Sequence, residues 1–184
     1  MNEGLISRRY AKALYEYAAE MRQESALYQR MQILSQHLQT LPRLKEVLDN
    51  PMVSLKEKMI LLNGATGEKP EQSYLDFIRL ILTNHREKDL QKIALSYQTL
   101  YRKKKNIRIV SLISAREIRP EILSRIREDV IKRMRGTVQF STRIDPGIDG
   151  GIIFQLDDYR LDASVKNQLE RIRRQFIQKN KTIM

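Results

Sequence analysis

The apolar residues keep a helical spacing for the first hundred positions and then change period. Ile6, Tyr10, Leu14, Tyr17 and Met21 step along one helical face, with Ala11 and Ala18 beside it. Leu27, Met31, Leu34, Leu38 and Leu41 repeat the pattern until Pro42, whose ring disfavours helix at the residue before it. Leu44, Val47 and Leu48 give a short third helix, stopped at Asp49-Asn50-Pro51. Ser54 and Glu57 form a capping box that starts a fourth through Met59, Ile60 and Leu62, with Gly64 and Gly67 at its end. Tyr74, Phe77, Ile78, Ile81 and Leu82 mark a fifth helix. Leu90, Ile93, Ala94, Tyr97 and Tyr101 mark a sixth. Short polar connections between such stripes specify a helix bundle.

The period changes after Lys103-Lys104-Lys105-Asn106. Ile107 to Ile113 is short and β-branched, so it predicts a strand. Pro120 opens a helix with Ile122, Ile126, Val130 and Met134 on its apolar face, ended by Gly136. Val138, Phe140, Thr142 and Ile144 then alternate with polar residues, which is strand periodicity. Asp145-Pro146-Gly147 signals a turn, Gly150-Gly151 opens a third strand to Leu156, and Asp157-Asp158 turns the chain again. Asp162 or Ser164 can cap a last helix that buries Val165, Leu169, Ile172 and Phe176. The expected architecture is α plus α/β: a six-helix bundle over 1–105, then a small β-α-β-β-α domain over 106–184. Its sheet is expected to be covered by helices on one face.

Composition narrows the function. There is no Cys, which excludes a disulfide framework and thiolate metal sites. Nucleophilic catalysis has little to work with. The two histidines, His37 and His85, lack a catalytic motif, and His85 reads as the cationic end of the fifth helix. No phosphate-binding glycine motif is present. Asp145, Asp149, Asp157, Asp158 and Asp162 lack the spacing of a Ca²⁺ loop and read as turn and cap residues. No catalytic, cofactor-binding or metal site is expected. No apolar run reaches a membrane span, and residues 1–10 lack a signal-peptide stretch. These features predict a soluble intracellular protein, retained as synthesised.

The net charge of +12 is unevenly spread. Residues 1–100 carry +2, residues 101–135 carry +8, residues 136–170 carry −3, and residues 171–184 hold five basic residues and no acidic ones. An acidic partner suits the basic segments. Nucleic acid is the competing partner, through Arg102-Lys103-Lys104-Lys105 and Arg171, Arg173 and Arg174. Against it, acids interrupt the basic residues of 116–135, and no aromatics alternate with them for base stacking. The first helix carries small residues at Ala11, Ala13 and Ala18 among Tyr10, Tyr15 and Tyr17, so a second side of it could receive a partner helix.

Five segments, in order across nearly the whole chain, resemble the delta subunit family of F-type ATP synthases. That family includes the mitochondrial oligomycin-sensitivity-conferring protein. The segments are Arg9-Tyr10-Ala11-Lys12-Ala13-Leu14 with Ala18; Leu48-Asp49-Asn50-Pro51 with Lys56 and Lys58; Phe77-Ile78-Arg79-Leu80 with Asn84, Arg86, Leu90, Ile93 and Tyr97; Val110 to Ala115; and Ile144-Asp145-Pro146 with Gly150-Gly151-Ile152-Ile153, Asp158, Asp162 to Val165 and Leu169. Asp149 and Asp157 depart from the family, which usually has an apolar residue and a glycine there.

The resemblance implies a non-catalytic stator subunit that resists rotation of the catalytic head. It implies a front domain that holds the N-terminal helix of an alpha subunit between its first and fifth helices. Tyr10, Ala13, Leu14, Ala18, Leu80, Ile81 and Asn84 stand at the matching positions. It further implies contacts with other head subunits, and a back domain on the b subunit of the peripheral stalk. The protein would then lie on the cytoplasmic side of the cell membrane, held there through the complex, with no insertion of its own and no nucleic acid bound.

Overall fold

The computed structural model describes residues 3–67, 69–134, 136–157 and 159–182, with side chains between residues 4 and 174. Asp158 and the Phe176 side chain, both used above, lie outside the described residues. The chain divides into two compact units, Met1–Lys104 and Lys105–Met184.

The first unit contains α1 (Glu3–Glu20), α2 (Glu24–Thr40), α3 (Pro42–Asp49), α4 (Leu55–Ala65), α5 (Gln72–Thr83) and α6 (Leu90–Lys104), with a single 3-10 turn at Glu87–Asp89. Local chemistry sets the helix ends. Pro42 occupies the first turn of α3, where its missing N–H costs nothing. The capping box forms: Glu57 N–H donates to Ser54 Oγ at 3.3 Å and Ser54 N–H to Glu57 Oε2 at 2.9 Å. Gly67, at φ 98°, follows the end of α4, while Gly64 lies within its last turn. His85 closes α5 through its backbone. At φ 51° it donates its N–H to Leu82 O, and Arg86 N–H reaches Ile81 O at 3.0 Å.

Leu27, Met31 and Leu34 of α2, Tyr74, Ile78 and Ile81 of α5, and Leu90, Ile93 and Tyr97 of α6 make the centre of the core. Two expected stripes are rotated. Helix α1 buries Ser7, Ala11, Leu14 and Ala18, leaving Tyr10 and Tyr17 half-buried and Met21 exposed. The small residues let α1 lie close against α6, its main neighbour. Helix α4 buries Lys58 and Leu62 and exposes Ile60, because Lys58 Nζ reaches Glu87 Oε1 at 2.9 Å.

The second unit contains β1 (Ile107–Ser114), α7 (Pro120–Arg133), β2 (Thr137–Ile144), β3 (Gly151–Leu156), β4 (Tyr159–Ser164) and α8 (Val165–Thr182). The sheet order is β2-β1-β3-β4, with β1 parallel to β2 and antiparallel to β3, and β3 antiparallel to β4. The expected β-α-β-β-α pattern therefore lacks one strand. Residues Tyr159 to Ser164 alternate Tyr159, Leu161 and Ala163 with polar neighbours, but Tyr159 and Leu161 stay exposed, and the run is short and lies between a turn and a helix cap, where it reads as a connection.

The one-face expectation for the sheet is also corrected. Leu112 and Ile113 point to opposite faces, as neighbours on a strand must. Leu112 is buried, and so is Ile153, the partner of Ile113 in the register, so both faces are covered. The apolar faces of both helices are less buried than expected. On α7 only Val130 is buried, and on α8 Val165, Leu169 and Ile172 are exposed.

Glycine is required at Gly151. It sits at φ 84°, and a Cβ there would meet Ala163 O at 2.5 Å. Asp157 also adopts a left-handed backbone, φ 47°, at the β3–β4 turn. It accepts from Ile109 N–H at 3.1 Å and pairs with Arg108 at 2.9 Å, which stabilises an aspartate where a glycine would serve.

Candidate docking surfaces

In the first unit, α1 and α5 touch. Tyr17 Oη donates to Asp76 Oδ2 at 2.9 Å and ties them together. That bond to a carboxylate raises the Tyr17 phenol above its ordinary pKa, and donation from Gln72 and from Tyr17 holds Asp76 below its own. Of the residues singled out in the sequence, Ala13, Leu80 and Asn84 are exposed and Tyr10 is half-buried. Leu80 is 50% exposed, and Asn84 Nδ2 donates back to Leu80 O at 2.9 Å. Leu14, Ala18 and Ile81 are instead buried in the bundle. Sequence reading did not single out Asp76, because a lone aspartate in a helix carries no signal until its partner is known.

In the second unit, apolar side chains reach solvent on α8 and β4. Leu169 is 61% exposed and Leu161 66%. Val165, Leu169 and Ile172 follow helical spacing along α8, beside the basic Lys166 and Arg173. A hollow of about 290 Å³ opens between Asp149 and this stripe. Ser164 Oγ accepts from Asn167 N–H at 3.4 Å, so of the two expected candidates Ser164 caps α8, while Asp162 Oδ1 accepts from Ser164 N–H in a turn just before it.

Four of the side chains considered in the sequence have structural partners. His37 Nδ1 lies 2.6 Å from Ala65 O. Asp145 accepts from Gly147 N–H in its turn, and Asp157 and Asp162 are held as described. Among the described residues, no group of three His, Cys, Asp or Glu side chains could hold a metal ion. No described helix is long and apolar enough to cross a membrane. Several basic residues are already paired: Arg108 with Asp157, Lys132 with Glu128, Arg160 with Asp162 and Arg174 with Glu170.

Comparison with known proteins gives the same direction over the full length. The family model for the ATP synthase delta (OSCP) subunit matches residues 6–176. ATP synthase subunit delta of Bacteroides thetaiotaomicron is 45% identical over 100% of both chains, and that of Phocaeicola vulgatus is 42% identical over 98% of both. The fold is similar to a chain in the cryo-EM structure of the Toxoplasma gondii mitochondrial ATP synthase hexamer. The TM-score is 0.71 at 19% identity, covering 96% of this chain and 98% of that one.

Proposed function

The chain belongs to the ATP synthase delta (OSCP) subunit family, and from that premise we propose how its two units serve a stator. As a member of that family it is a structural, non-catalytic subunit of the peripheral stalk. The first unit seats the N-terminal helix of an alpha subunit on the α1–α5 face. The contact runs over Tyr10, Ala13, Leu80 and Asn84, with Leu14, Ala18 and Ile81 supporting it from within. The second unit meets the b subunit through the exposed stripe of α8.

The observation that carries this reading is the division of labour. Each unit leaves a leucine exposed on a helix, Leu80 on α5 and Leu169 in the apolar stripe of α8. A connector under torque needs tight contacts at both ends and no reactive groups. Burying such a face against a partner helix contributes about 25 cal/mol per Å². The basic residues beside α8 orient an acidic stalk segment and speed its association. The complex is membrane-associated, and we place this subunit peripherally on its cytoplasmic side.

Binding of the cognate alpha N-terminal peptide to the full chain tests the first contact. The chain should bind it, and Leu80→Asp should weaken binding while the far-UV circular dichroism stays unchanged. Equal binding by the variant removes the α1–α5 face from the proposal.

A further inference from the structure

Helix α1 borders a second groove, on its other side. Between α1 and α6 lies an open channel of about 540 Å³ lined by Arg8, Ala11, Lys12, Leu95, Thr99 and Lys103, among others. Its lining is mainly apolar, and Leu95 is 48% exposed in it. The interior of the bundle does not need this leucine. Ile93, Ala94, Tyr97 and Tyr101 already form the buried face of α6, and Leu95 projects away from them.

The charges around the channel have one sign. Arg8 and Lys12 stand on the α1 side and Lys103 on the α6 side, and no acidic residue lines it. Lys12 pairs with Glu16 at 3.7 Å, and both side chains are largely exposed, at 72% and 62%. Such a pair is worth little and yields to a better-placed carboxylate. The rest of the unit is close to neutral, so this basic rim is a local feature.

We propose that the α1–α6 groove docks an amphipathic helical segment whose short apolar stripe covers Leu95 and whose flanking carboxylates meet Arg8, Lys12 and Lys103. Two helices with α1 between them would then be gripped by one unit, one on the α1–α5 face and one here. The apolar floor supplies contact area, and the basic rim selects acidic segments over basic ones.

The test uses the full chain and a labelled synthetic fifteen-residue helix carrying leucine and alanine on one face and glutamate on its flanks. A second peptide carries lysine in place of every glutamate. Fluorescence anisotropy should show binding of the acidic helix, weakening as salt rises, and no binding of the lysine helix. Leu95→Gln, which adds no charge, should weaken the acidic helix about tenfold by removing one buried leucine contact. Lys103→Gln should weaken it further. Leu80→Asp, on the α1–α5 face, should leave it unchanged, which separates this groove from the alpha-helix contact proposed above. Binding of both peptides alike, binding of neither, or binding that follows Leu80 rather than Leu95 would overturn the assignment.

Discussion

Arg30 Nε donates to Glu71 Oε2 across 2.6 Å, joining the middle of α2 to the start of α5. The same guanidinium donates to Thr66 O at 2.9 Å, Gly67 O at 3.3 Å and Lys69 O at 3.2 Å. It also lies 5.4 Å from the centre of the Tyr74 ring. One buried arginine thus ties down the whole α4–α5 connection and fixes where α5, half of the α1–α5 face, begins.

Replacing it should be costly. Arg30→Met leaves the Glu71 carboxylate without its partner and three carbonyls without a donor, a loss of about 3 kcal/mol. Arg30→Lys keeps the charge without the planar fork and should lose less. Urea unfolding at neutral pH, read by circular dichroism, measures both.

The pair also sets an acid response. Burial alone would raise the Glu71 pKa, but the Arg30 hydrogen bond, the bond from its own backbone N–H and the Arg30 charge together outweigh it, so the folded value lies below the ordinary 4.5. A lowered carboxylate stabilises the fold above its unfolded pKa, and that stability is lost as pH falls through the folded value. Stability should therefore decline below about pH 4.5. In Arg30→Met burial is opposed only by the bond from Glu71's own backbone N–H, so this contribution should shrink or reverse. Unfolding midpoints measured across the acid range would distinguish the two.

The β3–β4 turn offers a backbone test. Asp157→Gly loses the Arg108 pair and the Ile109 bond but relaxes a left-handed backbone, so its stability should change by less than about 1 kcal/mol. Asp157→Val keeps the strain, loses the bonds and adds β-branching at positive φ, and should cost about 2 kcal/mol or more. Gly151→Ala should be at least as severe, because its Cβ would meet Ala163 O at 2.5 Å. Thermal unfolding of the three variants ranks them.

What the sequence could reveal depended on how locally each feature is encoded. The helices of the first unit were legible because each carries its own stripe, and the Ser54–Glu57 cap because its two partners are three residues apart. β4 was not, since its six residues alternate too briefly between the Asp157 turn and the Ser164 cap to stand out, and Tyr159 and Leu161 bury nothing. The rotation of α1 was hidden for a related reason. Its alanines are buried by close approach to α6, which a stripe of larger residues such as Tyr10 and Tyr17 masks. Arg30 and Asp76 are single polar residues whose meaning lies in partners 41 and 59 positions away, Glu71 and Tyr17. Leu80 and Leu169 could be placed on helices from spacing, but their exposure emerged only once the cores were assembled.

The central claim is that one chain bridges two partners through two separate surfaces. Its most direct measurement is retention of the catalytic head on immobilised b subunit. The full chain should retain the head, and omission of the chain should release it. Leu80→Asp should lose the head while still binding b, and Leu169→Asp should lose b while still binding the alpha peptide. Retention of the head without the chain, or failure of both contacts from either single substitution in a folded protein, would contradict the account.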